Sequence, residues 1–375
     1  MNLEKNQDSA ALLTCPTTKL GLELVTLEAA EERVQGELRP RSDSLNAKGN
    51  LSKPAGPRPL VLLRQDLRCA YPVVDGIPVL LAPEALTTVK DQTAFDLTDR
   101  RYAEAYEEME FYNEAASTVL KKLEHVGAEG ILPTEMAATN EERDSFPGPW
   151  HRWIDTVHDS AALWDAYSHL GNIKNRCVLQ LGGSGTHAIK FAMAGAAEAW
   201  LVTPMLGEAT MARGLADSAG VGDRFRVIVA IAEELPIKSG TFDGLFASGC
   251  LHHMMTDLAL PEAARVLREG GRFAATEPWR APLYAIGTKI LGKREDAYCT
   301  PLTAKRVIPM KEQFSSFQLI QHGTITRYAF LALDKFGVKI TKYLPWHVGK
   351  IDDAICSIIP GMRRMGSSIA VLGNK

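Results

Sequence analysis

A glycine cluster lies between an apolar run and a helix-forming stretch near the middle of the chain. Residues 178–188 read VLQLGGSGTHA, which places Gly182, Gly183, Ser184 and Gly185 directly after a strand pattern. Strand, glycine turn and helix together present backbone N–H groups to a nucleotide. The glycines allow a ligand to approach the backbone closely, and Ser184 adds a hydroxyl. This turn is the first candidate for a cofactor site, with an ordinary tight turn as the alternative.

Two cofactors fit this turn. Gly183, Gly185 and Ala188 satisfy the G-x-G-x-x-G/A pattern of dinucleotide sites. The turn is also free of charged residues, which suits S-adenosylmethionine, because that molecule carries a sulfonium and an amino acid rather than a phosphate. The turn by itself leaves both cofactors open.

Three residues downstream could transfer protons. His252 and His253 follow the strand pattern FDGLFASG, and Glu277 lies near the end of the next one, GRFAATEP. Histidine is suited to proton transfer near neutral pH, and such a group assists a reaction whose acceptor carries a proton. We therefore name all three as catalytic candidates. The structural alternative is loop packing for the histidines and a loop-capping carboxylate for Glu277.

The elements that position these residues alternate between strand and helix from residue 173 to residue 279. Such alternation predicts an α/β fold with a Rossmann-like, doubly wound and mostly parallel sheet. Ligands of open parallel sheets bind at the carboxyl ends of the strands, where the glycine turn and both histidines would lie. A helix is predicted over 256–271, ending at Gly270 and Gly271. SSIAVLG, at residues 367–373, predicts a last strand of the same sheet.

Several motifs over residues 173–280 occur together in a fixed order. They are an acidic-Leu-Pro step in AEELP, FD at the start of a strand, LHH after it, and RVLREGG at the predicted helix end. As a set they strongly resemble class I S-adenosylmethionine-dependent methyltransferases. This resemblance favours S-adenosylmethionine over NAD(P) and implies that the chain is a methyltransferase.

The resemblance also assigns cofactor contacts to the strand ends. These residues are Gly182, Gly183, Ser184, Gly185, Thr203, Ile231, Ala232, Glu233 and Gly249. In this superfamily the second and third strands usually end in acids that hold the ribose and the adenine. Here those two positions are Thr203 and Ile231. Glu208 lies five residues after Thr203 and could reach back to that place, and Glu233 and Glu234 follow Ile231 closely.

The first 92 residues predict a small β unit with a flexible insertion over 33–59. LVLLR, AYPVV and IPVLL are strand patterns, and VDG is a tight turn between the last two. The Cys-Pro pair at Cys15 and the DGIPVLL segment resemble zinc-ribbon-like activators of methyltransferases. Thr18 and Arg64 stand where further cysteines would be, and Cys69 falls outside that register. We expect no metal here, because structural zinc needs four ligands.

Residues 93–172 predict a helical lid, and residues 281–375 predict the completion of the sheet and a substrate rim. Helices before the sheet usually cover the cofactor in the resembled superfamily, which implies possible contacts from Tyr112, Trp153 and His158. The rim candidates in the last segment are Lys289, Lys293, Arg294, His322 and Arg327.

The composition of the chain reduces the number of partners and cellular settings that we expect. The net charge of −3 and the absence of a basic–aromatic run make nucleic acid an unlikely partner. No secretory signal or membrane span is evident, and six cysteines without a C-x-x-C pair indicate a reducing, cytoplasmic setting. We therefore expect a methyltransferase for a small-molecule acceptor. The alternatives are a non-catalytic scaffold, an RNA or protein methyltransferase and, last, an NAD(P)-dependent oxidoreductase.

Overall fold

The structure is a computed structural model. It describes residues 11–41, 58–91, 99–128, 131–132, 159–282, 284, 300–326, 328–329, 333, 336–338, 344–359 and 361–375. The strands are β1 (Leu22–Thr26), β2 (Arg39–Pro40), β3 (Leu60–Arg64), β4 (Ala70–Val74), β5 (Ile77–Pro78), β6 (Leu86–Thr87), β7 (Cys177–Leu181), β8 (Glu198–Thr203), β9 (Phe225–Val229), β10 (Phe242–Ser248), β11 (Leu267–Pro278), β12 (Ser316–His322) and β13 (Ser368–Asn374). The helices are α1 (Leu27–Val34), α2 (Arg100–Val126), α3 (Ser160–Leu170), α4 (Thr186–Met193), α5 (Leu206–Ser218), α6 (Thr256–Val266), α7 (Ile308–Gln313) and α8 (Leu344–Ile358).

Seven strands form the larger sheet, in the order β12-β13-β11-β10-β7-β8-β9. In this sheet β13 runs antiparallel to both of its neighbours, β11 and β12. The other six strands run in one direction, so their carboxyl ends lie at the same edge of the sheet. The predicted α/β class and the last strand are confirmed. The central strand β7 and the edge strand β9 are short, mainly apolar runs with both faces buried, as expected of parallel strands between helix layers.

One predicted boundary is wrong. Helix α6 ends at Val266 rather than at the two glycines, because Leu267 already pairs with Phe242 of β10. The register between β10 and β11 is irregular beyond that pair, and Gly270 adopts a φ of 75° there. The glycines thus serve a bend inside β11, where a left-handed backbone suits glycine.

The smaller sheet is antiparallel, in the order β1-β3-β4-β6-β2, with β5 paired to β4. Asp75 and Gly76 both have positive φ values, of 48° and 80°, as a two-residue hairpin turn demands. The predicted strands over 60–64 and 70–74 are confirmed. The sequence analysis missed β1 and α1, which alternate charged with apolar residues. Most of the predicted insertion, residues 42–57, lies outside the described residues.

The two sheets meet at the edge strand β9. The amide of Leu80 donates to the carbonyl of Val229 at 2.7 Å, and Val79 forms a parallel bridge with the same residue. A second bridge joins Leu13 to Ile237, and Lys19 pairs with Glu262 at 2.7 Å. The small unit therefore covers an edge that would otherwise expose unpaired backbone groups.

Helix α2 is the described part of the predicted lid, together with α3. Tyr106 of α2 donates to Glu84 of the small unit at 3.1 Å, and Asn113 accepts from the amide of Gly207 at 2.7 Å. The lid candidates Trp153 and His158 lie outside the described residues. Within the described part of the chain, no helix is both long and apolar enough to cross a membrane.

Candidate active site

A cleft of about 200 Å³ opens at the carboxyl ends of β7, β8, β9 and β10, beneath helix α2. Seven of the nine predicted cofactor residues border it: Gly182, Gly183, Thr203, Ile231, Ala232, Glu233 and Gly249. The lid residue Tyr112 borders it as well. Ser184 and Gly185 do not border it, so the structure brings together most, but not all, of the predicted set.

The glycine turn has two separate tasks. Gly182 and Gly183 have φ values of 68° and 73° and face the cleft. A Cβ on Gly185 would lie 2.7 Å from the Cβ of Ala212 and 2.8 Å from Leu201. Gly185 therefore permits α4 to pack closely against β8 and α5.

A buried glutamine holds this turn in shape. Gln180 donates from Nε2 to the carbonyl of Gly182 at 2.8 Å and accepts from the amide of Ala188 at 2.7 Å. The side chain thereby connects the last residues of β7 to the first turn of α4. The sequence analysis missed this role, although a polar residue inside an otherwise apolar strand was the available signal.

Glu208 brings a carboxyl group to the end of β8, beside Thr203. Thr203 donates from its hydroxyl to Glu208 Oε2 at 2.7 Å, and both residues border the cleft. Burial raises the pKa of the Glu208 carboxyl. A carboxylate at this place can accept from the hydroxyl groups of a ribose, as the family's usual strand-end acid does. Glu208 therefore stays the predicted replacement for the strand-end acid.

Glu233 and Glu234 face different surroundings. Glu233 borders the cleft, accepts from the amide of Met255 at 2.7 Å, and has its pKa raised by burial to about 7. Glu234 instead accepts from Tyr102 at 2.5 Å and pairs with Arg101, both on α2. Glu233 is therefore the acid available to a ligand, whereas Glu234 anchors the lid helix.

His252 and Glu277 lie behind the cleft rather than on it. Glu277 is fully buried, and its Oε1 accepts from the amides of Cys250 and Leu251 at 2.9 and 2.8 Å. Its Oε2 lies 2.7 Å from Nδ1 of His252. Arg306 donates to the carbonyls of Leu251 and His252 from the other side. This geometry matches the structural alternative, a loop held by a strand-end carboxylate.

His253 is the catalytic candidate that reaches the cleft. Its Nδ1 lies 2.5 Å from Glu104 Oε1 and 3.6 Å from Glu108 Oε2, and both glutamates come from α2. A second, polar cavity of about 450 Å³ is bordered by His253 and Glu104 and also by His252. The sequence analysis missed Glu104, because its distance of 149 residues from His253 hides the contact.

The other candidates fall elsewhere. His322 is buried at the end of β12, where it contacts Asp165 at 2.7 Å and Asp353 at 3.1 Å. Although burial opposes protonation, the two carboxylates raise its pKa to about 9. His322 therefore joins β12 to α3 and α8 and borders neither cavity described above. Lys289, Lys293, Arg294 and Arg327 lie outside the described residues.

The N-terminal thiols are closer together than the register suggested. The sulfur of Cys15 lies 3.2 Å from Tyr71 Oη and 3.7 Å from a guanidinium nitrogen of Arg64, and Cys69 is close enough to interact with it. The interaction with Cys69, helped by the hydroxyl groups of Thr17, Thr18 and Tyr71, outweighs burial and lowers the pKa of Cys15. Two thiols and a guanidinium do not form the four-ligand set of structural zinc.

Comparison with known proteins identifies the class of the central region. Residues 179–275 match the model of the family described as "Methyltransferase domain". The chain therefore carries a methyltransferase domain, and the predicted resemblance is confirmed. The match also decides between the two cofactors that the glycine turn left open, in favour of S-adenosylmethionine.

Two relatives share the name tRNA U34 carboxymethyltransferase. The protein from Psychrobacter arcticus is 38% identical over 111 residues, which are 27% of this chain and 31% of the relative. The protein from Cellvibrio japonicus is 29% identical over 135 residues, 33% of this chain and 42% of the relative. The matched stretches thus span less than half of either relative's length.

Solved structures with a similar fold include geranyl diphosphate C-methyltransferase from Streptomyces coelicolor. It has a TM-score of 0.40 and 14% identity, covering 57% of this chain and 78% of that one. The YcgJ protein of Bacillus subtilis has a TM-score of 0.38 and 19% identity, covering 57% and 97%.

Proposed function

We propose that this protein transfers a methyl group from S-adenosylmethionine, bound in the cleft at the carboxyl edge of the larger sheet, to a small-molecule acceptor. The observation that carries the proposal is the set of Gly182, Gly183 and Glu208 around one cleft in a methyltransferase domain. The glycines admit the ligand to the backbone, and Glu208 offers an acceptor for the ribose hydroxyls.

The charge of the cleft supports the sulfonium cofactor. Four carboxylates border the cleft, those of Glu104, Glu108, Glu208 and Glu233. Of the two arginines there, Arg101 is already paired with Asp99 and Glu234. Burial raises the pKa of Glu208 and Glu233, so the negative charge comes mainly from Glu104 and Glu108. Negative charge attracts the sulfonium and ammonium of S-adenosylmethionine and repels the pyrophosphate of NAD(P). The same reasoning opposes a dinucleotide even though the glycine pattern admits one.

The second cavity supports a small acceptor. It adjoins the cleft along Arg100, Glu104, His253 and Met254, and its volume of about 450 Å³ suits a molecule of metabolite size. The net charge of −3 offers little attraction to a polyanion. A tRNA acceptor is the second candidate, favoured by the names of the two relatives.

Calorimetry tests the cofactor half of the proposal. We expect saturable, one-to-one binding of S-adenosylmethionine and S-adenosylhomocysteine, and no binding of NADP(H). Gly183→Val should abolish binding, because the valine combines a strained positive φ with a side chain in the ligand's place. Absence of heat from both sulfur ligands would overturn the proposal.

Transfer of radiolabelled methyl groups tests the acceptor half. The wild-type protein and labelled S-adenosylmethionine are incubated separately with a small-molecule extract and with purified tRNA. Label in the small-molecule fraction is the expected result. Label confined to tRNA would replace the small acceptor with the second candidate.

A further inference from the structure

The cleft and the second cavity share a wall. Four residues border both spaces: Arg100, Glu104, His253 and Met254. Among these four, Glu104 and His253 are in direct contact, at 2.5 Å. A donor in the cleft and an acceptor in the second cavity would therefore meet beside this pair.

We propose that His253 is the base that removes a proton from the acceptor, and that Glu104 of helix α2 is the residue that positions it. The acceptor is then a molecule whose O–H or N–H group loses its proton on methylation. This inference rests on the proposed function, since it requires the methyl donor to occupy the cleft.

The contact with Glu104 selects one form of the imidazole. An ionised carboxylate only accepts hydrogen bonds, so Nδ1 of His253 must donate to Glu104 Oε1. In the neutral ring Nε2 then has a free electron pair, which a base needs. Glu108 Oε2 lies 3.6 Å from the same nitrogen, so a second carboxyl group also faces Nδ1 rather than Nε2. In catalytic triads a carboxylate likewise accepts from Nδ1–H of the histidine and fixes its tautomer and orientation.

The atoms balance in a single displacement. S-adenosylmethionine, when bound, supplies the methyl group and keeps the electron pair of the broken carbon–sulfur bond as S-adenosylhomocysteine. The acceptor atom forms the new bond to carbon and gives its proton to Nε2 of His253. The resulting imidazolium is neutralised by Glu104, and it returns the proton to water after the product leaves.

Other charged groups surround His253 and influence any pH profile. They are Arg100 and Glu108 on α2, Glu233 after β9, and Asp257, Lys305 and Arg306 in the second cavity, with the His252 ring 4.2 Å away. Because so many groups contribute, the ring form of His253 is a sharper observable than the pH optimum.

Nitrogen NMR of the full chain labelled with [¹⁵N]histidine measures that ring form without any ligand. His253→Gln identifies the resonances. We expect the Nδ1–H form in the wild type and conversion to the Nε2–H form, which free histidine prefers, in Glu104→Ala. Glu107→Ala, an exposed change on the same helix, should leave the signals as in the wild type. An Nε2–H form in the wild type, or no change in Glu104→Ala, would overturn the proposal.

A kinetic arm uses the labelled acceptor fraction. Glu104→Ala should lower kcat about 100-fold with KM changed less than threefold, and Glu104→Asp should recover part of the loss. Equal loss in the aspartate and alanine variants would contradict a positioning role. If S-adenosylhomocysteine binds normally but wild-type His253 is in the Nε2–H form, only this inference is overturned. If S-adenosylhomocysteine does not bind, the proposed function itself is overturned.

A bound metal is the competing explanation, because ligand atoms of Glu104, Glu108 and His253 lie within 4.8 Å of one another. Dialysis against Mn²⁺, followed by metal analysis and NMR, separates the two. We expect no stoichiometric retention of Mn²⁺ and no selective broadening of the His253 signals. If the wild type retains Mn²⁺ and the His253→Gln variant does not, the proposed roles of His253 as base and Glu104 as its positioning residue would be overturned.

Discussion

Two neighbouring histidines have the same kind of partner in opposite surroundings. His252 and His253 lie with ring centroids 4.2 Å apart, and each places Nδ1 against a glutamate. Glu277 is fully buried and also holds two backbone amides, whereas Glu104 is partly exposed and borders both cavities. A histidine–glutamate contact alone therefore does not distinguish a structural role from a chemical one. Burial of the glutamate and its contacts with backbone amides indicate the first role, and access of the pair to both cavities indicates the second.

The largest difference should appear in stability. Glu277→Ala removes the partner of two buried amides and of His252, so we expect the free energy of unfolding to fall by about 3 kcal/mol or more. Glu104→Ala should cost less than about 1 kcal/mol, because its pair is partly exposed. Urea titrations measure both. Equal losses would remove the distinction between the two pairs.

For the rate of methyl transfer, we expect changes in the His253–Glu104 pair to have larger effects than changes in the His252–Glu277 pair. His253→Gln should lower the rate of label transfer per folded molecule about 100-fold, which is the usual contribution of a general base. His252→Gln should lower the rate less and the amount of folded protein more, since His252 borders the second cavity but not the cleft and its Nδ1 contacts the buried Glu277. Rates are compared at equal concentrations of folded enzyme. A greater loss of rate in the His252 variant would reverse the assignment.

His322 is a third histidine held by carboxylates; it contacts two of them and borders neither the cleft nor the second cavity. Its pKa of about 9 in the fold exceeds the ordinary value of 6.5. The contribution of His322 is therefore complete below about pH 6.5, and it is lost as the pH rises through 9.

Asp165→Asn should remove roughly 1 to 2 kcal/mol of stability at pH 6 and much less at pH 10. Thermal or urea unfolding at both pH values checks this. A loss of stability that is the same at pH 6 and pH 10 would show that the charge of His322 is not involved.

Local sequence patterns were enough to predict the larger sheet, the glycine turn and the position of the loop that carries both histidines. The alternation of strands and helices fixes where carboxyl ends gather, so the sequence could place seven of the nine predicted cofactor residues at one cleft. The sequence could not place Glu104 or Cys69 beside their partners, because tertiary packing rather than spacing brings these residues together. Ser184 and Gly185 do not border the cleft, because a glycine motif does not show which of its residues face a cavity and which face a neighbouring helix.

The central claim is that the cleft holds S-adenosylmethionine with Glu208 in place of the missing strand-end acid. Titration of S-adenosylhomocysteine into the wild type, Glu208→Gln and the control Glu107→Gln tests it most directly. We predict one-to-one binding to the wild type and the control, and about tenfold weaker binding to Glu208→Gln, a difference of about 1.4 kcal/mol. Equal affinity in all three, or no binding to the wild type, would contradict the account.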